Sequence, residues 1–143
     1  MVLKDIIITG DNLKKYKKLF FAAYIFVVLW LTLINREFGE HRANLTPFWE
    51  FANVIRNVER WFYVRQIIGN LVMLLPLGFM LPMLKEVTWK HILAVSFLFS
   101  VGIEITQFVT GRGLMEFDDV FNNTVGAMIG YRIYLLAITK KQN

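Results

Sequence analysis

Residues 91–109 have the sequence HILAVSFLFSVGIEITQFV, a long apolar run that contains Glu104 and Gln107 near its end. A helix needs about 20 mostly apolar residues to cross the hydrocarbon core of a bilayer, because each residue adds about 1.5 Å of rise. The run therefore predicts a membrane-spanning helix. Glu104 would lie about 7.5 Å below its outer end. An ionisable group at that depth costs about 2.5–3.5 kcal/mol on insertion scales, which makes it a functional candidate.

Three further runs predict helices of the same kind, at about residues 19–34, 66–84 and 119–138. Only the first of these is free of internal polar residues. A cleavable signal peptide is the alternative for that run, but it lies late, is rich in bulky aromatic residues and is followed by no small-residue cleavage pattern. The sequence thus predicts an all-α, polytopic membrane protein with four transmembrane helices in a single domain over residues 1–143.

The composition excludes several other classes of protein. Hydrophobic residues make up 56% of the chain and the mean hydropathy is +0.47, whereas roughly 45–50% apolar residues is usual in a soluble domain. The abundance of Phe, Leu and Ile excludes a disordered chain, and the absence of cysteine excludes a disulfide-stapled secreted fold.

With four spans, both termini lie on one side of the membrane, and the basic residues indicate which side. The lysines fall on one predicted face, and every arginine except Arg132 falls on the other. Because four lysines immediately precede the first span, the positive-inside rule places the N- and C-termini in the cytoplasm. The lysines are Lys4, Lys14, Lys15, Lys17, Lys18, Lys85, Lys90, Lys140 and Lys141, and the external arginines are Arg36, Arg42, Arg56, Arg60, Arg65 and Arg112.

The external arginines predict a face that handles phosphorylated or carboxylate-bearing headgroups, because a guanidinium can bind either group through two parallel hydrogen bonds. The alternative is chance combined with local pairing to nearby acidic residues, which are Glu37, Glu40, Glu50 and Glu59. The net charge of +5 is divided between two membrane faces, so no nucleic-acid partner is predicted.

The first external loop, residues 35–65, is too long to lack structure. Thr46 can cap a helix and Pro47 can take its first position. The segment 47–64 is predicted to be an amphipathic helix lying on the outer membrane surface, with packing against the bundle as the alternative. Its apolar stripe comprises Phe51, Ile55, Val58 and Phe62, its polar side Glu50, Arg56, Asn57 and Arg60, and its headgroup-level anchors Trp49 and Trp61.

Polar residues from three predicted spans fall at one depth near the outer surface. They are Asn70, Glu104, Gln107, Asp119, Asn122 and Asn123, and they lie under a loop that carries Arg112, Glu116 and Asp118. This arrangement predicts a polar pocket open to the outer leaflet. The alternative is that the side chains satisfy one another as interhelical hydrogen bonds, worth about 0.6 kcal/mol each.

Further along the last span, Gly126 and Gly130 continue the stripe of Asp119 and Asn123 and predict a close helix–helix approach.

The chemistry of such a pocket is only partly determined by these residue types. His41 and His91 fall on opposite faces, so no Ser-His or Cys-His nucleophile is predicted, and no zinc-ligand spacing is present. Carboxylates with amide oxygens could hold Ca²⁺ or Mg²⁺, and two carboxyls of unequal pKa could act as acid and base. We predict no cofactor and leave the metal open.

Several short motifs over about residues 40–131, taken in their order along the chain, resemble the VanZ-like family. The Glu-x-x-Gln block and the Arg…Asp-Asp-x-x-x-Asn-Thr-x-Gly block are the most specific. Two positions depart from the family pattern, since Glu116 stands where Asp is commoner and Asn122 where an apolar residue is usual, so Asn123 is the better match. The motifs are Asn44-Leu45-Thr46-Pro47-Phe48, Gly69-Asn70, Pro76-Leu77-Gly78 with Pro82, Glu104-Ile105-Thr106-Gln107, Gly111-Arg112 and Asp118-Asp119-Val120-Phe121-Asn122-Asn123-Thr124-Val125-Gly126.

The resemblance implies a small bacterial inner-membrane protein, in a family some of whose members reduce susceptibility to teicoplanin and related lipoglycopeptides. We expect a non-enzymatic envelope protein whose pocket binds a membrane lipid, a lipid-linked cell-wall precursor or a lipoglycopeptide. The rival is an intramembrane hydrolase or transferase with Glu104 and Asp119 as acid and base, and a third possibility is a structural partner subunit. The predicted ligand-binding residues are Asn70, Glu104, Gln107, Arg112, Glu116, Asp118, Asp119 and Asn123.

Overall fold

A computed structural model describes residues 2–36, 38–39 and 41–142, with side chains from 12 to 140. The proposed pairing partners Glu37 and Glu40 lie outside the described residues, as do the side chains of Lys4 and Lys141. The elements are α1 (Val2–Leu29), which continues as a π-helical turn (Trp30–Ile34), β1 (Arg42–Asn44), α2 (Trp49–Ile55), α3 (Arg60–Leu84), α4 (Trp89–Thr110), β2 (Leu114–Glu116) and α5 (Phe117–Gln142).

Three helical segments are long and apolar enough to cross a membrane: Asn12–Ile34, Arg60–Leu84 and Trp89–Thr110. They contain the predicted spans at about 19–34, 66–84 and 91–109. The protein is therefore a helical membrane protein. The fourth predicted run forms most of α5, which begins with acidic and amide residues and carries Arg132 further along. These polar residues lower its average hydrophobicity, so the four-span count stays a prediction.

α3 and α5 run parallel and in very close contact, because glycine replaces larger residues where they touch. A Cβ atom at Gly126 would overlap the backbone of Leu71, and one at Gly130 would overlap the backbone of Leu75. From the other side, a Cβ at Gly78 would overlap the backbone of Ala127. The predicted close approach at Gly126 and Gly130 is confirmed, with α3 as the partner helix.

The buried interior is small and unusually polar. The buried apolar side chains are Val28, Leu74, Leu77, Ile92, Ile103 and Ala127, and buried polar residues outnumber them among the described residues. Large apolar side chains on the outside of the helices are exposed, as at Leu136, which is 72% exposed. Lipid can cover such surfaces, so the bundle has an apolar exterior and polar contacts within.

The predicted single helix over 47–64 is wrong in its extent. α2 ends at Ile55, and α3 begins at Arg60 rather than near 66. Between them, Asn57 (φ 59°) and Glu59 (φ 40°) adopt left-handed conformations, which a continuous helix cannot accommodate. The predicted start at Thr46 and Pro47 is also wrong, because α2 begins after Phe48.

The predicted orientation of this segment is corrected as well. Glu50, assigned to the solvent side, is fully buried, and Asn53 is buried one turn further on. Ile55, on the predicted apolar stripe, is 84% exposed, so it does not pack against the bundle as the alternative interpretation required. α2 turns polar residues inward because the protein interior that it covers is itself polar.

Two short strands add a feature that an all-α prediction omits. β1 pairs in parallel with β2, with Ala43 opposite Met115 and Asn44 opposite Glu116. The backbone N–H of Gly39 donates to the carbonyl of Gly111 at 2.7 Å beside this pair. The pairing joins the first loop to the link between α4 and α5 and fixes the position of Glu116.

Candidate functional site

Five carboxylates are buried at one end of the helix bundle, and we call them the acidic cluster. They come from α2, α4, β2 and α5, so four separate elements meet there. The members are Glu50, Glu104, Glu116, Asp118 and Asp119. Burying several like charges together is costly unless hydrogen bonds, protons or cations compensate them.

Asp118 binds the start of α2. Its Oδ1 accepts a hydrogen bond from the backbone N–H of Phe48 at 2.6 Å, and its Oδ2 accepts one from the N–H of Glu50 at 2.8 Å. Phe48 has φ 58°, an uncommon conformation for a bulky residue. Asp118 therefore positions α2, and through it Glu50, over the cluster.

The rings around Phe48 secure this strained position. Phe48 makes edge-to-face contacts with Phe51, Phe117 and Phe121, with ring centroids 6.2, 6.2 and 5.3 Å away. Such contacts are favourable arrangements of aromatic pairs. A strained backbone conformation of this kind persists where the surrounding contacts hold it in place.

Glu104 and Gln107 lie one turn apart on α4 and bind different elements. Glu104 Oε2 accepts a hydrogen bond from the backbone N–H of Glu116 at 3.0 Å. Gln107 Nε2 donates to the carbonyl of Thr32 at 3.0 Å, while its Oε1 has no partner among the described residues. The pair connects α4 to β2 and to the end of the first helix.

Asparagines support the other carboxylates. Asn70 Nδ2 donates to Asp119 Oδ1 at 2.5 Å, and Asn122 Nδ2 donates to Glu50 Oε2 at 3.0 Å. Asn123 Nδ2 donates to Ser100 Oγ at 2.9 Å, and its Oδ1 has no partner among the described residues. The predicted interhelical hydrogen bonds thus exist, but they leave several buried polar atoms unpaired.

Glu50 and Glu116 lie outside the long helices and have perturbed acidity. Burial raises the pKa of Glu50 to about 8, and repulsion from Asp119, Glu116 and Asp118 adds to this effect. Burial likewise raises the pKa of Glu116 to about 7, with further increases from Asp119 and Asp118 and an opposing effect of Arg36. Without a compensating cation, both groups tend to hold a proton near neutral pH.

Arg112 does not lie where the sequence places it, above the carboxylates. Its Nη1 donates to the carbonyl of Leu33 at 2.9 Å, and its guanidinium lies 4.2 Å from the ring centroid of Phe38. The end of a helix leaves carbonyls without intrahelical partners, and a basic side chain there satisfies them. Arg112 therefore caps the first helix.

The charge of Arg36 acts on the acidic cluster. It interacts electrostatically with Glu104, Glu116 and Asp119. Gly113 leaves the space for this arrangement, since Arg36 Nη1 and the Gln107 side chain both approach within 3.4 Å of where its Cβ would lie. The guanidinium of Arg36 therefore offsets part of the charge of these carboxylates.

Glu50 and Arg36 are not among the predicted ligand-binding residues. Glu50 lies two residues after the Asn-Leu-Thr-Pro-Phe motif, and this position is a feature of the sequence that could have indicated its place in the site. Arg36 was counted with the external arginines and has no periodicity that distinguishes it. Contacts between distant parts of the chain decide both positions.

Beside the cluster, a groove of about 810 Å³ runs between the first helix and α3. Arg36, Arg65 and Gln66 lie among its polar residues, and Asn70 connects it to the acidic cluster. Its apolar walls are Leu31, Phe62, Ile68, Val72 and Met73. The groove therefore combines two guanidinium groups with an apolar surface.

The sequence profile of the VanZ/LLP1 family matches residues 21–138. The chain belongs to the VanZ/LLP1 family. It is also 28% identical over 125 residues to Protein VanZ of Enterococcus faecium, an alignment that covers 81% of this chain and 71% of that protein. No solved structure is significantly similar to the chain. The matched region includes residues 21–34 of the first apolar helix, the other two apolar helices, the acidic cluster and the groove.

Proposed function

We propose that the protein is an integral protein of the bacterial cytoplasmic membrane that binds an amphiphilic, phosphate-bearing ligand at the outer leaflet. The ligand class is a lipid-linked cell-wall precursor or a related anionic lipid. By occupying or sequestering such a ligand, the protein lowers susceptibility to teicoplanin-type lipoglycopeptides, as the resemblance to VanZ-like proteins implies.

The groove between the first helix and α3 is the observation that carries the proposal. Arg36 and Arg65 can bind phosphate oxygens, because a guanidinium matches them with paired N–H donors. Ile68, Val72 and Met73 offer apolar surface for the lipid chain. A polar end joined to an apolar wall is the arrangement that an amphiphile requires.

The proposed topology places this groove toward the outside. Four transmembrane helices, with α5 as the fourth, put both termini in the cytoplasm under the positive-inside rule. Arg36 and Arg65 then lie at the outer surface, and Lys17, Lys18 and Lys85 lie at the cytoplasmic surface. α2, with exposed Ile55, rests on the outer leaflet.

The test compares cells that express wild type, Arg36→Gln, Arg56→Gln or an empty vector. We expect wild type to lower teicoplanin susceptibility more than vancomycin susceptibility, and Arg36→Gln to lose this effect. Arg56→Gln removes the same charge from an exposed position in the turn after α2, so it should behave as wild type. Equal teicoplanin susceptibility for wild type and empty vector would overturn the resistance part of the proposal.

Ligand binding is tested directly by native mass spectrometry of protein extracted in gentle detergent. We expect a co-purified phosphate-bearing lipid on wild type and on Arg56→Gln, and a reduced amount on Arg36→Gln. Equal amounts of bound lipid on wild type and both variants would show that Arg36 takes no part in lipid binding. Turnover of an added lipid precursor, lost in Glu104→Gln, would instead support the hydrolase or transferase.

A further inference from the structure

Three members of the acidic cluster share one small volume. Glu50, Glu116 and Asp119 each offer a carboxylate oxygen, and these oxygens all lie within 4.8 Å of one another. All three side chains are buried. They come from α2, β2 and α5, so the fold assembles the group from distant parts of the chain.

Glu50 is incompletely satisfied in this group. Its side chain is fully buried, yet Oε1 has no hydrogen-bond partner among the described residues, and only Oε2 accepts from Asn122. A buried carboxylate oxygen without a partner loses the solvation that it has in water. This orphaned atom is a second observation beside the clustering, and a cation bound there would supply the partner that it lacks.

A second unpaired oxygen lies nearby along α5. Asn123 follows Asp119 by four residues, which places both on one face of the helix. Its Oδ1 is buried without a partner among the described residues, while its Nδ2 is held by Ser100. The three carboxylates of the group supply oxygen donors, which are the ligands that hard divalent cations prefer.

We propose that Glu50, Glu116 and Asp119 bind one hard divalent cation of the Ca²⁺ or Mg²⁺ class. Ca²⁺ takes oxygen ligands at about 2.3–2.6 Å, so ligand atoms on opposite sides of it are separated by about twice that distance. The 4.8 Å limit on the three oxygens is within this span. The hydrogen bonds from Asn70 to Asp119 and from Asn122 to Glu50 orient two of the ligands.

The cation changes what the cluster can bind. Carboxylates alone repel a phosphate group, whereas a divalent cation among them attracts one and can share its oxygens. The bound cation would therefore act with Arg36 on an anionic headgroup that enters from the groove. This consequence rests on the proposed function, whereas the cation site itself does not.

The test measures Ca²⁺ and Mg²⁺ binding to the purified 143-residue chain in detergent by equilibrium dialysis. We expect saturable binding of one cation per chain by wild type. Glu116→Gln and Glu50→Gln, which preserve side-chain shape, should each weaken binding about tenfold or more. Glu86→Gln, which neutralises an exposed carboxyl after α3, should leave it unchanged. No saturable binding by wild type, or equal binding by wild type and both cluster variants, would overturn the proposal.

A second measurement uses wild type alone and does not depend on the folding of any variant. A cation that binds only the folded state raises the unfolding midpoint as its concentration increases. We expect Ca²⁺ to raise the midpoint, and Na⁺ at the same ionic strength to leave it unchanged. Equal midpoints in the two salts would contradict the cation site.

Lipid binding measured in the presence of a chelator distinguishes the cation site from the proposed lipid-binding function. Cation binding without any phosphate-bearing lipid would support the metal site and contradict the lipid function. Lipid binding that persists undiminished in chelator would leave the lipid function standing and contradict the cation's part in it.

Discussion

Asp118 and Asp119 are adjacent in the sequence but bind different parts of the molecule. Asp118 accepts two backbone N–H groups from the start of α2, whereas Asp119 accepts from Asn70 on α3. Successive residues of a helix point about 100° apart, so neighbours can serve different elements. Asp118 positions α2, whereas Asp119 lies among the buried carboxylates of the proposed ligand site.

Replacement of Asp118 should loosen the outer end of the protein. Asp118→Ala removes both hydrogen bonds to a charged acceptor, each worth about 1.5–3 kcal/mol, and should lower the free energy of unfolding by about 2 kcal/mol or more. Asp118→Asn keeps one acceptor oxygen and should lose less. Circular dichroism during denaturation in mixed micelles measures the change. Equal stability of Asp118→Ala and wild type would show that α2 needs no such anchor.

The raised pKa values of Glu50 and Glu116 predict a pH dependence in the absence of divalent cations. Both groups bind protons more tightly in the folded protein than in the unfolded chain. Their stabilising contribution is therefore present below about pH 4.5 and is lost as the pH rises through about 7 for Glu116 and about 8 for Glu50. Each carboxyl contributes a slope of at most about 1.4 kcal/mol per pH unit.

The measurement is the free energy of unfolding from pH 5 to pH 9 in chelator. Stability should fall with rising pH for wild type, and Glu50→Gln should reduce the slope, because the uncharged amide cannot lose a proton. Asp118, Asp119, Glu116 and Asn122 surround Glu50 and remain in this variant. A slope that is unchanged in Glu50→Gln would assign the pH dependence to other groups.

At the scale of elements, the contact between α3 and α5 positions half of the site. Asp119 and Asn122 lie at the start of α5, and Asn70 lies on the facing part of α3. Gly126 and Gly130 bring the two backbones together just beyond these residues. The glycines thereby set the distance across which Asn70 reaches Asp119.

Gly126→Ala should destabilise the protein, because its methyl group would overlap the backbone of Leu71. Overpacking of this kind costs about 1–3 kcal/mol. Gly102→Ala is the matched control, since its Cβ would meet nothing within 4 Å and alanine favours helix. Unfolding in mixed micelles should show a loss for Gly126→Ala alone. A similar effect of both substitutions would point to helix propensity rather than to helix contact.

α2 provides the second prediction at this scale. If its apolar side faces lipid, a nitroxide at Ile55→Cys should be mobile and accessible to dissolved oxygen. The same label at Asn53→Cys should be immobilised, because Asn53 is buried. Since the chain has no cysteine, each label reports one position. Equal oxygen accessibility at the two positions would contradict the orientation of α2.

At the scale of the whole molecule, the charges of the two ends differ. Lysines surround the end that contains the turn between α3 and α4, and arginines surround the end that contains the acidic cluster. The net charge of +5 thus describes neither end. This asymmetry is the basis of the proposed topology.

Labelling of intact cells by a membrane-impermeant maleimide tests that topology. Arg56→Cys, in the turn after α2, should react in intact cells. Lys85→Cys, after α3, should react only after lysis. Both residues are exposed, so a failure to react with the maleimide reflects the side of the membrane rather than burial in the protein. The reversed pattern would place the termini outside and the acidic cluster in the cytoplasm.

The sequence by itself determined the class of protein, the places of the apolar helices, the level of the polar residues and the small-residue contact. These properties follow from hydrophobic length and helical periodicity, which are local. The resemblance to VanZ-like proteins rests on short motifs and likewise follows from the sequence.

The tertiary structure decided which polar residues meet. Glu50 joins the cluster through contacts with Asp118 and Asn122, which are 68 and 72 residues away in the chain. No local pattern encodes such distances, and the helical spacing of the apolar residues in this segment predicted only that Glu50 lies on the polar side of the helix. Arg112 caps the first helix rather than facing the carboxylates, because helix ends and strand pairing, rather than sequence periodicity, determine where each guanidinium lies.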